Sequence, residues 1–134
     1  SIIVFYTMET DKDLFIAKLA EQAERFEDMV THMKIVIRNQ SGTISSEIRN
    51  LLSVAYKNVI GARRSAWRIL STIENNEKQK NKEETSQQAQ KYRERVEVEL
   101  DDICNDIIEI IDEIIGKNCT GDSPEAQNGR VFFS

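Results

Sequence analysis

The chain has 134 residues, room for one domain with a modest core, and carries a formal charge of −5 with a sequence pI near 5.0. An acidic total argues against a duplex nucleic-acid binder, which needs a basic surface to displace counterions. One proline and five glycines, beside many Glu, Lys, Ile and Leu, predict long helices and no sheet.

The first stretch, Ser1–Tyr6, is apolar but too short to span a bilayer and has no basic residues ahead of it, so neither membrane span nor signal peptide is expected. Met8 reads as a natural start. Residues 1–7 then read as an upstream extension, with a lengthened first helix as the alternative; the extension is set at 1–9 and the domain at 10–134. Thr10 is the expected N-cap of a first helix, with Asp11 and Asp13 in the turn where the helix dipole favours acids. Leu14, Phe15, Leu19, Ala20 and Ala23 follow at helical spacing. A second helix is expected from about Arg25 to Ile37, with Phe26, Met29, Val30, Met33 and Ile37 on its apolar face. No breaker separates the two, so antiparallel neighbours are expected.

Residues 39–43 (NQSGT) have the chemistry of a loop. Ser45 is the expected N-cap of a third helix running to about Asn75. The polar run 75–84 is expected to be a solvated connection. Thr85 with Gln88 fits a capping box. It opens a fourth helix of about 30 residues by its periodicity, with Ala89, Tyr92, Val96, Leu100, Ile103, Ile107, Ile110 and Ile114 on one stripe. Gly116 is the expected stop. Ser123 and Pro124 would then open a fifth helix, with Val131, Phe132 and Phe133 as its first anchors. An apolar helix that begins at the last residues implies that the natural sequence continues.

Little in this chain could carry chemistry. His32 is the single histidine and has no ligand partner at helical spacing, so it is read as a surface or seam residue. Cys104 and Cys119 lack zinc-ligand spacing and make no disulfide framework, which favours a reducing, cytoplasmic setting. Cys104, beside Ile103, is expected to be a packed, inert thiol. There is no Gly-rich phosphate loop. The carboxylates of the fourth helix read as a solvated face. No catalytic residue, metal or cofactor is therefore assigned.

Residues 49–68 (RNLLSVAYKNVIGARRSAWR) stand apart. They hold five cations and no carboxylate in an acidic chain. Asn50, Val54, Lys57, Gly61, Arg64 and Arg68 lie on one helical stripe. Leu52, Ala55, Val59, Ala62, Ala66, Ile69 and Ile73 form a second, apolar stripe, and Lys57 and Val59 are roughly 200° apart around the helix. Arg64 and Arg68, four apart, repel one another slightly. Such a stripe is either a solvated face neutralised from elsewhere or an anion site, and a dianionic phosphate suits converging cations. Spacing leaves that choice open.

The same run resembles the signature of the 14-3-3 proteins. So do residues 17–30 (AKLAEQAERFEDMV) and 92–107 (YRERVEVELDDICNDI), while Val131–Phe133 resembles the opening of the family's fifth helix. The resemblance implies an all-α, antiparallel helical array, here about four long helices plus the start of a fifth. It implies an adaptor, not an enzyme, that binds phosphoserine or phosphothreonine peptides as a homodimer or heterodimer, with no nucleic-acid or membrane partner. Lys57 and Arg64 match the phosphate ligands, Arg68 a flanking basic residue, and Asn50, Ser53 and Val54 the groove lining. Leu19, Ala20, Ala66, Leu70, Ile73 and Tyr92 match the dimer seam. Arg25 with Glu99, and Asp28 with Arg95, match charged pairs across it. The remaining phosphate ligands would follow Ser134, so these residues are expected to hold one wall of a groove and to bind phosphopeptide weakly or not at all alone. The alternative is a structural dimerisation module that binds no phosphopeptide.

Overall fold

A computed structural model describes the backbone from Ile2 to Asn118 and the side chains from Asp11 onward. The described residues form four helices, α1 (Ile2–Gln22), α2 (Phe26–Asn39), α3 (Ser46–Gln79) and α4 (Glu83–Asn118), and no strand. The chain divides into two compact units. Among the described residues, one takes in those up to Lys57 and those from 107 to 118; the other is Asn58–Asp106.

In the first unit, α1 is unbroken from Ile2, so Thr10 lies inside the helix rather than at its N-cap. α1 closes without a glycine. Glu24 takes a left-handed φ of 58°, and the N–H of Arg25 reaches the Ala20 carbonyl (2.8 Å) while that of Glu24 reaches Glu21 (3.1 Å). This is the Schellman pattern, which turns the chain at once and satisfies the last carbonyls. α2 then folds back antiparallel, and the His32 Nδ1–Asp13 Oδ1 contact (2.8 Å) ties the two helices at half-buried positions. α2 presents Met29, Met33, Val36 and Ile37, all fully buried, as its periodicity requires. Ile44, Ile48, Leu52, Ala55 and Tyr56 continue this core into α3, and Ile110 completes it from α4. Ser45 caps α3 as expected: its Oγ accepts the Ile48 N–H at 3.3 Å.

In the second unit the expected connection at 75–84 is shorter than its polarity suggests. α3 continues to Gln79, and the turn is a second Schellman pattern: Asn81 has φ 59°, and the Lys82 N–H reaches the Glu77 carbonyl (3.0 Å). Asparagine tolerates the left-handed region better than most side chains, which lets a polar run make a tight turn. Thr85 is therefore not a cap. The Ser86 N–H already bonds to the Lys82 carbonyl, and the Thr85 hydroxyl donates back to the same carbonyl. Contacts step away from the turn on both helices, from Glu74 with Arg93, through Trp67 with Glu97, to Arg63 with Glu99, so the segments are antiparallel.

α4 is 36 residues and passes through Gly116 to Asn118. Gly116 has neither a positive φ nor a close neighbour, so nothing local ends the helix there. The expected fifth helix lies outside the described residues.

Candidate functional site

α3 presents the cationic stripe to solvent. Asn50, Ser53, Lys57, Arg64 and Arg68 are exposed, and Val54 is 36% exposed. Two cations of the acid-free run find local partners. Arg49 donates to the Ser46 hydroxyl (3.1 Å), and Arg63 is drawn to Glu99 of α4 (3.7 Å). Among the described residues no carboxylate lies within ion-pair distance of Lys57, Arg64 or Arg68. An anion meeting these side chains has no ion pair among the described residues to break.

Next to the first part of this stripe, within the first unit, lies a cleft of about 500 Å³. Arg49, Ser53 and Lys57 of α3 border one side, and Ile107, Ile111 and Ile114 of α4 the other. Periodicity assigns Ile107, Ile110 and Ile114 to a single buried stripe, but Ile110 alone of the three is buried. The doublets in IIEIIDEII carry the missing signal, because paired isoleucines widen an apolar stripe beyond what one neighbouring helix covers.

The apolar stripe of α3 divides. Leu52, Ala55 and Val59 are buried, whereas Ile69 is 61% and Ile73 is 43% exposed. Ala66 and Leu70 are half-buried, Leu19 and Tyr92 are exposed, and Ala20 is buried within its own chain. In the second unit Ala66, Tyr92, Arg95 and Glu99 border one cleft of about 240 Å³. The charged seam residues have partners in their own chain. Arg25 bonds to Asp28 (2.6 Å), Glu99 faces Arg63, and the Arg95 guanidinium lies 5.3 Å from the Tyr92 ring centre.

One cluster was not visible in the sequence. Buried Glu74 accepts from Arg93 Nε (2.6 Å) and Lys78 (3.2 Å), Arg93 reaches Glu97 (2.5 Å), and the Trp67 indole donates to Glu97 (2.8 Å). The Arg93 hydrogen bond holds the Glu74 carboxyl below its ordinary range, against the effect of burial. The Trp67 hydrogen bond does the same for Glu97. Arg93 is raised in turn, foremost by its hydrogen bond to Glu74. These groups face one another across α3 and α4. Cys104 is exposed rather than packed; Cys119 lies outside the described residues. Among the described residues no helix is long and apolar enough to cross a membrane.

The fold and the stripe together define an all-helical protein with a solvent-facing cationic stripe on α3. The family model of the 14-3-3 proteins matches residues 16–134, and the chain belongs to that family. It is 50% identical over 127 residues to the human 14-3-3 protein beta/alpha, covering 95% of this chain and 48% of that one. The chicken 14-3-3 protein beta/alpha is 52% identical over 117 residues, with 87% and 45% covered. The rainbow trout 14-3-3 protein beta/alpha-1 is 54% identical over 104 residues, with 78% and 41% covered. The chain spans about half the length of the curated relatives it matches.

Proposed function

We propose that this chain supplies the basic groove wall and the dimerisation helices of a cytoplasmic adaptor that binds phosphoserine or phosphothreonine peptides without catalysis. The carrying observation is the set of exposed cations Lys57, Arg64 and Arg68, which lack ion-pair partners among the described residues and share one face of α3. Lys57 and Arg64 are two turns apart, about 10 Å along the axis, within reach of one phosphate by long side chains. Arg64 brings a fork matched to phosphate oxygens, and Lys57 a point charge. Arg68 adds flanking charge, and Asn50, Ser53 and Val54 line the peptide path. The partners are phosphorylated clients and a second family subunit.

A second reading, a dimerisation module without a phosphate site, draws on the exposure of Leu19, Ile73 and Tyr92. Fluorescence anisotropy separates the two. The 134-residue chain alone is expected to bind a phosphoserine peptide weakly or not at all. Joined to the remaining half of a beta/alpha relative, it should bind the phosphopeptide at least tenfold tighter than the unphosphorylated one. Lys57→Glu should remove that preference while sedimentation still reports a dimer. No phosphopeptide preference in the joined protein, with the dimer intact, sinks the adaptor reading and leaves the dimerisation module; a preference that survives Lys57→Glu takes Lys57 out of the phosphate site.

A further inference from the structure

α2 ends at Asn39, and its last carbonyls need donors. The Gln40 N–H serves two of them, on Val36 (3.1 Å) and Ile37 (3.3 Å). A side chain from α4 adds a donor at the same place. The Lys117 ammonium donates to the Ile37 carbonyl and to the Gln40 carbonyl (2.7 Å). A cation at this point faces the negative end of the α2 dipole.

The same end of α4 anchors both ends of the loop that leaves α2. Glu113 accepts from Arg38 Nε (3.2 Å), and Asn118 Oδ1 accepts the Ile44 N–H (3.1 Å). The loop between these anchors is otherwise loosely held. Ser41, Gly42 and Thr43 are exposed, and Gly42 sits at φ 85° with open space around it. The loop leads straight to Ser45, the cap of α3, and so to Arg49 and Asn50.

The geometry points to Lys117 as a charge-dependent latch that fixes residues 40–45 and, through them, the entry to α3. An ammonium is required rather than any donor, because the Ile37 carbonyl it meets carries the partial negative charge of a helix end. Burial holds the Lys117 ammonium below its ordinary pKa, and Glu113 on its own helix supports the charge against it. Arg38, on α2, is paired to Glu113 and so tempers that support. The latch stands whatever ligand α3 takes.

Hydrogen exchange on the 134-residue chain reads it directly, through the amides of Gln40, Ile44, Ile48 and Arg49, each bonded in or beside the loop. Lys117→Met keeps the length and removes the charge; these four amides should exchange at least tenfold faster. The amides of Lys80, Asn81 and Lys82, in the turn of the second unit, should not change. Nε-acetyllysine at 117 keeps the reach and one N–H donor but is neutral, and should behave like Lys117→Met. Lys117→Arg should restore protection. Wild-type exchange in Lys117→Met overturns the latch. Protection retained by acetyllysine overturns its dependence on charge, and faster exchange at Lys80–Lys82 as well shows general loosening and overturns the local role.

Discussion

The two compact units are built on opposite terms. The first buries Met29, Met33, Val36 and Ile37 completely, with Ile44, Ala55 and Ile110 around them. In the second, the buried residues are Val59 and Val96 and two polar side chains, Glu74 and Ser86. Four of its apolar residues, Ile69, Ile73, Tyr92 and Val98, are exposed, and Trp67, Leu70, Leu100 and Ile103 are only half-buried. The first unit thus rests on area removed from water, roughly 25 cal/mol per Å², and the second on charge-assisted hydrogen bonds around Arg93. A chain can therefore keep the same helical periodicity throughout and change what that periodicity is used for.

The largest effect should come from the apolar unit. Met33→Ala removes a fully buried side chain from a core that cannot collapse around it, at a cost of about 2–5 kcal/mol by denaturant unfolding. A cost well under 1 kcal/mol would show that this core is not the main support of the unit.

Next comes Arg93. Arg93→Met leaves the Glu74 carboxylate buried with Lys78 alone and removes one of the two hydrogen bonds to Glu97. Breaking one side of a buried pair costs more than the pair contributes, so the second unit should unfold at clearly lower denaturant, with Trp67 fluorescence following the change. An unchanged midpoint would mean that the network is incidental. Acid tests the same contrast more gently. Glu74 and Glu97 are held below the ordinary carboxylate value of 4.5. Their contribution is complete above that value and is lost as the pH falls through the lower folded-state values. Below about pH 4.5 the unfolding midpoint reported by Trp67 should fall faster in the wild type than in Arg93→Met, where Glu74 has lost its main partner. Parallel pH profiles would contradict the assignment.

Much of this was legible in the sequence for a physical reason. Regular spacing at Met29, Met33 and Ile37 dictates a buried face, and Ser45 has a side chain that can do little else ahead of a helix. The acid-free run from Arg49 to Arg68 marked the exposed stripe directly. What escaped were features that depend on backbone turns or on partners distant in sequence. Glu24 and Asn81 take left-handed conformations that no composition rule marks, so a polar run read as a long connection is a three-residue turn. Glu74, Arg93 and Glu97 look like ordinary surface charges until α3 and α4 lie side by side. Lys117 gives no signal at all, since its acceptors are backbone carbonyls some 80 residues away. The apolar stripe through Ile69 misled in the other direction: spacing shows that residues share a face, but not that another surface covers it.

Ile69 therefore offers the smallest effect and the sharpest contrast. It lies on the stripe that buries Leu52 and Ala55 earlier in α3, yet it is 61% exposed. Glutamine has good helix propensity and a similar reach, so Ile69→Gln keeps the helix and removes only the apolar surface. Where no partner covers that surface, the change should shift stability by no more than about 0.5 kcal/mol, against the several expected for Met33→Ala. The measurement belongs at low protein concentration, and again at high. A small cost at both means that Ile69 is solvated in every state the protein populates. A cost that grows with concentration means that a second copy covers it, and then the second unit too buries apolar area, but between chains rather than within one.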